Sequence, residues 1–524
     1  MHTVELVIGL LAAIALLGVV ADRARLPYPA VLVVGGIVIG LIPGVPAVRL
    51  EPRLVLFGFI PLLVYAAAFR AASFDLRSHA VQIIGLATGL VLLTVLLAAA
   101  IGHEIGGVPW TAAFVFGALA APTDPVSASS VMGEVGAPER IVTILEGESL
   151  INDGTGLAVF QVAVAAATGG FSPAQGALKL VEISAGGVAV GLVVGWFSVR
   201  IRRPLDAPAI EIVLGLLAAF GSYSAADAAG FSGVLAAVSA GLYTGWHAHD
   251  ISSAQSRLRM EPVWDAVTFV LESVLFLLIG LQLRRIVNGI PDGDGTTAAL
   301  TGGAAVVGVI ALRAAWMLGV PSLFSGLRVG GIDRAAARQR IVLSWSGMRG
   351  ALSLAGALSI PLMAGSQAFP ARDQVIFFVY CVVLGTLIVP SVTLKPLLRG
   401  LGLGQSDRLR EQEIQARRRI AHAALSRLEQ IAKEGEVPEE LLEHLRGVYE
   451  LRLRRLERAR EESTSSGRDQ RHGAPGMQEI REQLLAAQHA ALAEIRAERA
   501  VAAQILGRIQ RDIDLEETRL RAGQ

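Results

Sequence analysis

The sequence predicts an all-α polytopic membrane protein that ends in a charged helical tail. Three observations carry this expectation. Of 524 residues, 53% are hydrophobic and 17% charged, with a mean hydropathy of +0.55, whereas a soluble domain of this size would expose far more charge. The apolar residues gather into runs of about 20, the length that crosses a hydrocarbon core ~30 Å thick. Charge is segregated, with 44 Asp, Glu, Lys and Arg residues in the last 124 positions against 47 in the first 400.

The runs number thirteen, from 4–21 and 28–47 through 110–132, 139–168, 209–229, 231–247, 298–326 and 338–364 to 372–400. They make 1–400 a transmembrane domain and leave 401–524 as a tail. The first run lacks the preceding positive residues of a secretory signal, so it is expected to be a retained span with its N-terminus outside. Inner loops then collect most of the arginines, among them Arg23, Arg25, Arg70, Arg140, Arg200, Arg202 and Arg203. That bias predicts a multi-pass protein of a bacterial-type inner membrane with a cytoplasmic tail. In the tail, Ile414, Ile420, Leu425, Leu428 and Ile431 recur at helical spacing. Residues 463–476, rich in Ser, Gly and charge, predict a flexible linker before a last helix from Met477 to Leu520. A solvated appendage and a regulatory domain both fit this tail.

A net charge of +1 gives no general attraction to nucleic acid, and the lone Cys381 permits neither a disulfide framework nor a thiolate metal site. No glycine-rich phosphate loop is present, and no cofactor is expected.

Ionisable side chains in apolar spans are costly, so each is a functional candidate. They are Asp124, Glu146, Glu148, Asp153, Asp227, Asp265, Glu272, Arg313 and Arg349. Asp124 stands in Pro122-Thr123-Asp124-Pro125, where both prolines lack an amide hydrogen and clash with the carbonyls of Ala118 and Ala121. The helix is expected to unwind there, freeing carbonyls and half-helix ends that coordinate small ions. In 146–156, the spacing puts Ser149, Asn152 and Asp153 on one helix face. A hydroxyl, an amide carbonyl and a carboxylate together suit a small alkali cation and offer no nitrogen or sulfur for a transition metal. Glu148 points about 140° away from Asp153 and needs a buried cation; of the two intramembrane arginines, Arg313 is the expected partner. Arg349 lies between Gly347 and Gly350, which mark a second weak helix and fit an inverted repeat. His247, His249 and Asp250 read as a solvated loop in preference to a metal cluster. Glu272 reads equally as a packing hydrogen bonder or a modulator of the site.

Taken in order, Pro122-Thr123-Asp124-Pro125, Glu148-Ser149-Leu150-Ile151-Asn152-Asp153, Arg313 and Gly347-Met348-Arg349-Gly350-Ala351 resemble the sodium/proton exchangers of the monovalent cation/proton antiporter superfamily. The branch is the one joining prokaryotic electroneutral antiporters to animal exchangers, and the resemblance covers about residues 1–400. It implies thirteen helices in two six-helix inverted repeats, a homodimer, and an ion site where two unwound helices cross. It further implies that Asp153 carries either Na+ or a proton, that Thr123, Ser149 and Asp124 surround it, and that Glu148 pairs with an arginine. Family members often carry an acid in the third span after a Pro-Leu-Leu-like run, but here Pro61-Leu62-Leu63-Val64-Tyr65 leads into Ala66, Ala67 and Ala68.

The expected activity is electroneutral exchange of one monovalent cation, Na+ with Li+ or K+ as alternatives, for one proton, serving pH and cation homeostasis. A channel would want a short re-entrant filter, and none is evident. A membrane-embedded hydrolase using Asp124 and Asp153 would need no paired prolines or buried arginines.

Overall fold

The computed structural model describes residues 2–24, 26–43, 54–72, 79–135, 137–169, 173–205, 207–248, 254–290, 293–325, 334–364 and 367–403, with isolated positions between 422 and 457. The chain divides into two compact units, Met1–Ser406 and Asp407–Gln524. In the second, described positions such as His422, Leu425 and Glu429 are helical. The linker expected at 463–476 and the last expected helix lie outside the described residues.

The first unit is built from helices α1 (His2–Ala24), α2 (Tyr28–Leu41), α3 (Leu54–Ala71), α4 (Ala80–Glu104), α5 (Trp110–Ala120), α6 (Val126–Val135), α7 (Glu139–Gly169) and α8 (Pro173–Arg202). It continues with α9 (Pro208–Ala228), α10 (Gly233–Trp246), α11 (Ala254–Leu281), α12 (Leu283–Asn288), α13 (Gly295–Ser325), α14 (Arg334–Trp345), α15 (Ala351–Leu358) and α16 (Arg372–Gly400). Among the described residues, nine helical segments are long and apolar enough to cross a bilayer. The fifth and twelfth expected spans are each a pair of short helices, α5 with α6 and α14 with α15.

Local chemistry sets several boundaries. Between α9 and α10, Gly230 adopts φ +77°. Phe231 donates to the Ala226 carbonyl and Gly230 to that of Asp227, both at 2.9 Å. This is the glycine-dependent reversal that closes orphan carbonyls at a helix end. Ser232 then caps α10, its hydroxyl accepting from the Leu235 amide. Proline truncates two expected spans. Helix α2 stops at Leu41 before Pro43, and α15 stops at Leu358 before Pro361. Residues 363–364, expected to be helical, instead pair antiparallel with 367–368. In α3, the turn at Leu54–Phe59 widens to π geometry just ahead of Pro61.

The helices pack as two bundles, α1–α3 with α8–α12 and α4–α7 with α13–α16. Small residues bring backbones together within the first. A Cβ on Gly36 would meet the Gly280 Cα at 3.1 Å, and one on Gly280 would meet the Ile37 nitrogen at 2.7 Å. Gly241 and Gly245 likewise set α10 against the backbone of Tyr65 and Phe69 on α3. Such glycines allow dispersion to hold helices together where lipid supplies no hydrophobic drive. Gly280→Ala is expected to lower stability by about 1–3 kcal/mol, measured by thermal unfolding in detergent. Gly9→Ala, where nothing lies within 4 Å, should leave it unchanged or slightly raised.

Candidate functional site

The two broken helices meet at their breaks. In an unbroken helix the Asp124 amide would donate to the carbonyl of Ala120, four residues back. Here it donates to the Met348 carbonyl at 2.8 Å, in the Ser346–Gly350 break. The Ala120 carbonyl accepts instead from Arg349 Nε at 3.1 Å. The guanidinium therefore caps the C-terminal end of α5, where a cation also opposes the helix dipole. Arg349 also donates to the Gly347 carbonyl, and its backbone amide donates to Thr386 Oγ1 at 3.1 Å. At 2% exposed, Arg349 does not snorkel to a surface. Gly350 has no side chain because a Cβ there would collide with Asp124.

Helix α7 crosses beneath this junction. Ser149 donates to the Thr123 carbonyl at 2.8 Å, Asn152 Nδ2 to Thr123 Oγ1 at 2.6 Å, and Thr123 Oγ1 to Glu148 Oε1 at 3.2 Å. Glu148 then meets Arg313 of α13 in a two-pronged ion pair, with Nη1 on Oε1 at 2.5 Å and Nη2 on Oε2 at 2.8 Å. Arg313 Nε donates to the Leu343 carbonyl of α14 at 3.0 Å. Both charged side chains are 2% exposed, so the pair answers two charges that would each be prohibitive alone.

A cavity of about 410 Å³ lies against this crossing, between the two bundles. Thr123, Asp124, Ser129, Glu146, Ser149 and Asp153 line one wall, and Arg70, Asp265, Thr268 and Glu272 line the other. Asp124 is partly engaged, since one carboxylate oxygen accepts from the Val126 amide at 3.0 Å and caps α6. Glu146 accepts from Ser129 at 2.7 Å. Among the described residues, no hydrogen bond or ion pair reaches the Asp153 carboxylate.

The sequence-predicted residues thus fall into groups. Asp153, Asp124, Ser149 and Thr123 share the cavity. Glu148, Arg313 and Arg349 brace the crossing behind it. Asn152 is a departure from the expected ligand set, because its amide turns to Thr123 and it does not line the cavity, while its buried Oδ1 has no partner among the described residues. Asp227 is exposed at the end of α9, away from the site. His247 bonds to the Tyr243 carbonyl, whereas His249 and Asp250 lie outside the described residues. The sequence leaves Glu272 open between a packing hydrogen bonder and a modulator of the site; it lines the cavity, as do 265, 268 and 269, which with it repeat at helical spacing. On α3, Ala67 lines the wall and Ala66 is buried.

Glu148→Ala or Arg313→Ala is expected to cost about 3–5 kcal/mol by stranding a buried opposite charge, whereas Ser149→Ala should cost about 1 kcal/mol. Thermal unfolding in detergent of the singles and the double variant checks this. The double should recover part of each single's loss.

The profile of the family described as sodium/hydrogen exchanger, transmembrane, matches residues 9–400. An uncharacterised Na+/H+ exchanger of Mycobacterium bovis is 33% identical, over 98% of this chain and 95% of its own length. The Na+/H+ antiporter NhaH of Halobacillus dabanensis is 30% identical, over 77% of this chain and 99% of its own. In fold, the chain is similar to the sodium proton antiporter MjNhaP1 of Methanocaldococcus jannaschii, with a TM-score of 0.60 at 20% identity, over 77% of this chain and 100% of that one. With its apolar helices, paired broken helices and these matches, the chain is a multi-pass membrane protein that belongs to the sodium/hydrogen exchanger family.

Proposed function

We propose that this chain exchanges sodium for protons, one for one, at Asp153. The observation that carries the reading is the Asp153 carboxylate, which has no partner among the described residues and lies on a cavity lined by four further carboxylates, one helical turn from Ser149 and against the break between α5 and α6. A carboxylate in that position gains either a proton or a cation, and the two compete, which couples the fluxes. Ser149, with lone pairs left after donating its proton, and the remaining oxygen of Asp124 are the further ligands. Thr123 acts as the hub that holds α7 to the break, since its hydroxyl is already engaged by Asn152 and Glu148. Asn152 is neutral, so the position beside Asp153 cannot bring a second proton. Alternating access follows if one bundle moves past the other around the intervening cavity.

The remaining parts of the reading are a homodimer, thirteen spans in two inverted repeats, an inner-membrane location with the N-terminus outside, and a role in pH and cation homeostasis. Li+ or K+ are alternative cations. The protein is a carrier and not an enzyme, and the cycle calls for no cofactor.

Asp153→Asn is expected to abolish sodium-driven proton flux in proteoliposomes while the protein still inserts and elutes as a single species. Wild-type flux measured at several clamped potentials should be nearly voltage-independent, although an uncompensated charge would feel about 2.3 kcal/mol per 100 mV. A sustained current would mean that Asp124 carries a second proton.

A further inference from the structure

Arg70 is the one basic side chain lining the cavity among the described residues, set against five carboxylates. The wall facing Asp153 is made by single stripes of two helices. On α3 these are Ile60, Leu63, Val64, Ala67 and Arg70, and on α11 they include Asp265, Phe269, Glu272 and Phe276. The two helices run in opposite directions through about ten residues each, so the cavity is ~15 Å deep at 1.5 Å per residue. One end is shut, where Ile60, Leu275 and Phe276 are 2–3% exposed. At the other end Arg70 Nη1 meets Asp265 Oδ1 at 3.4 Å, with the two side chains 47% and 60% exposed. The ion pair therefore stands at the mouth.

A cation entering an acidic cavity is drawn by its field, and a fixed positive charge at the entrance opposes that attraction. We propose that Asp265 is a positioning residue whose pairing tethers and neutralises Arg70, so that the pair sets how readily a cation enters without touching the carboxylate that exchanges it. Energetically such an exposed pair contributes little to folding. Its consequence lies in the entry path, where removing either partner alters the charge that an incoming cation meets.

This inference rests on the reading of Asp153 above, and the two are separable. The measurement is sodium-dependent proton flux in proteoliposomes for wild type, Asp265→Asn, Arg70→Gln, the double variant and the charge swap Arg70→Asp with Asp265→Arg. Asp265→Asn is expected to raise the sodium KM roughly fivefold at unchanged kcat. Arg70→Gln should lower KM, and the double variant and the swap should return it close to wild type. Raising ionic strength with choline chloride shortens the screening length from ~30 Å at 0.01 M to ~8 Å at 0.15 M, so the KM differences should shrink. The inference is overturned if both single variants move KM in the same direction, if kcat falls while KM holds, or if the differences do not respond to salt. A swap that elutes as a single species yet keeps the raised KM also overturns it. Active Asp153→Asn would overturn the exchange reading, whatever the mouth variants do.

Discussion

A charge carried into the apolar interior of a bundle must be answered there, and the Glu148–Arg313 pair is where this molecule meets that demand most fully. The pair is buried on all sides, and its two prongs are supplemented by Arg313 bonding to a carbonyl of α14 and by Glu148 accepting from Thr123. It therefore ties four elements together: α7, which carries Asp153; α13; α14; and the break between α5 and α6. A carboxylate–guanidinium pair is rarely a gain over apolar packing in stability alone. Its value here is geometric, because the fork fixes the rotation of α7 about its axis. That rotation turns Asp153 toward the cavity while Glu148 points away from it.

The same accounting governs the backbone. Two prolines open the first break, and the Ala120 carbonyl, which would take the Asp124 amide in an unbroken helix, needs another partner. The structure supplies it by exchange across the crossing. Asp124 gives its amide to Met348, and Arg349 gives its guanidinium to Ala120. Each broken helix thus completes the other, and the unwound backbone is tolerated because it faces protein and a polar cavity, not lipid. Gly347 and Gly350 leave room for this, since a side chain on either would strike Arg313 or Asp124.

Against this braced half stands a wall that is largely apolar near its closed end. Ile60, Leu63 and Val64 of α3 and Leu275 and Phe276 of α11 present no ligand to a cation. Of the polar groups of that wall, Arg70, Asp265 and Thr268 lie toward the open end, and Glu272 lies about one turn from Phe276 at the closed end. Binding chemistry is thus concentrated on the bundle that contains the breaks, while the opposing bundle supplies shape and long-range charge. Its glycine contacts, Gly36 with Gly280 and Gly241 with α3, make that bundle a closely packed support.

Much of this was legible in the sequence because it follows from local rules. Hydropathy and length determined the membrane class, paired prolines the first break, and residue spacing the shared face of Ser149, Asn152 and Asp153. A buried acid's need for a cation pointed from Glu148 to Arg313. Other features depended on groups far apart in the chain. Spacing places Asn152 on the ligand face, but only packing shows its amide turned to Thr123, a residue 29 positions away. Arg349 gives no sequence sign that its partner is the carbonyl of Ala120, because backbone acceptors carry no residue identity. The stripe on α11 that brings Glu272 and Asp265 to the cavity was present as periodicity, yet which face of that helix meets the site is decided by how α2 and α3 dock on it. Short-range sterics and the cost of burying charge are written residue by residue, whereas the pairing of distant donors and acceptors exists only once the helices are packed.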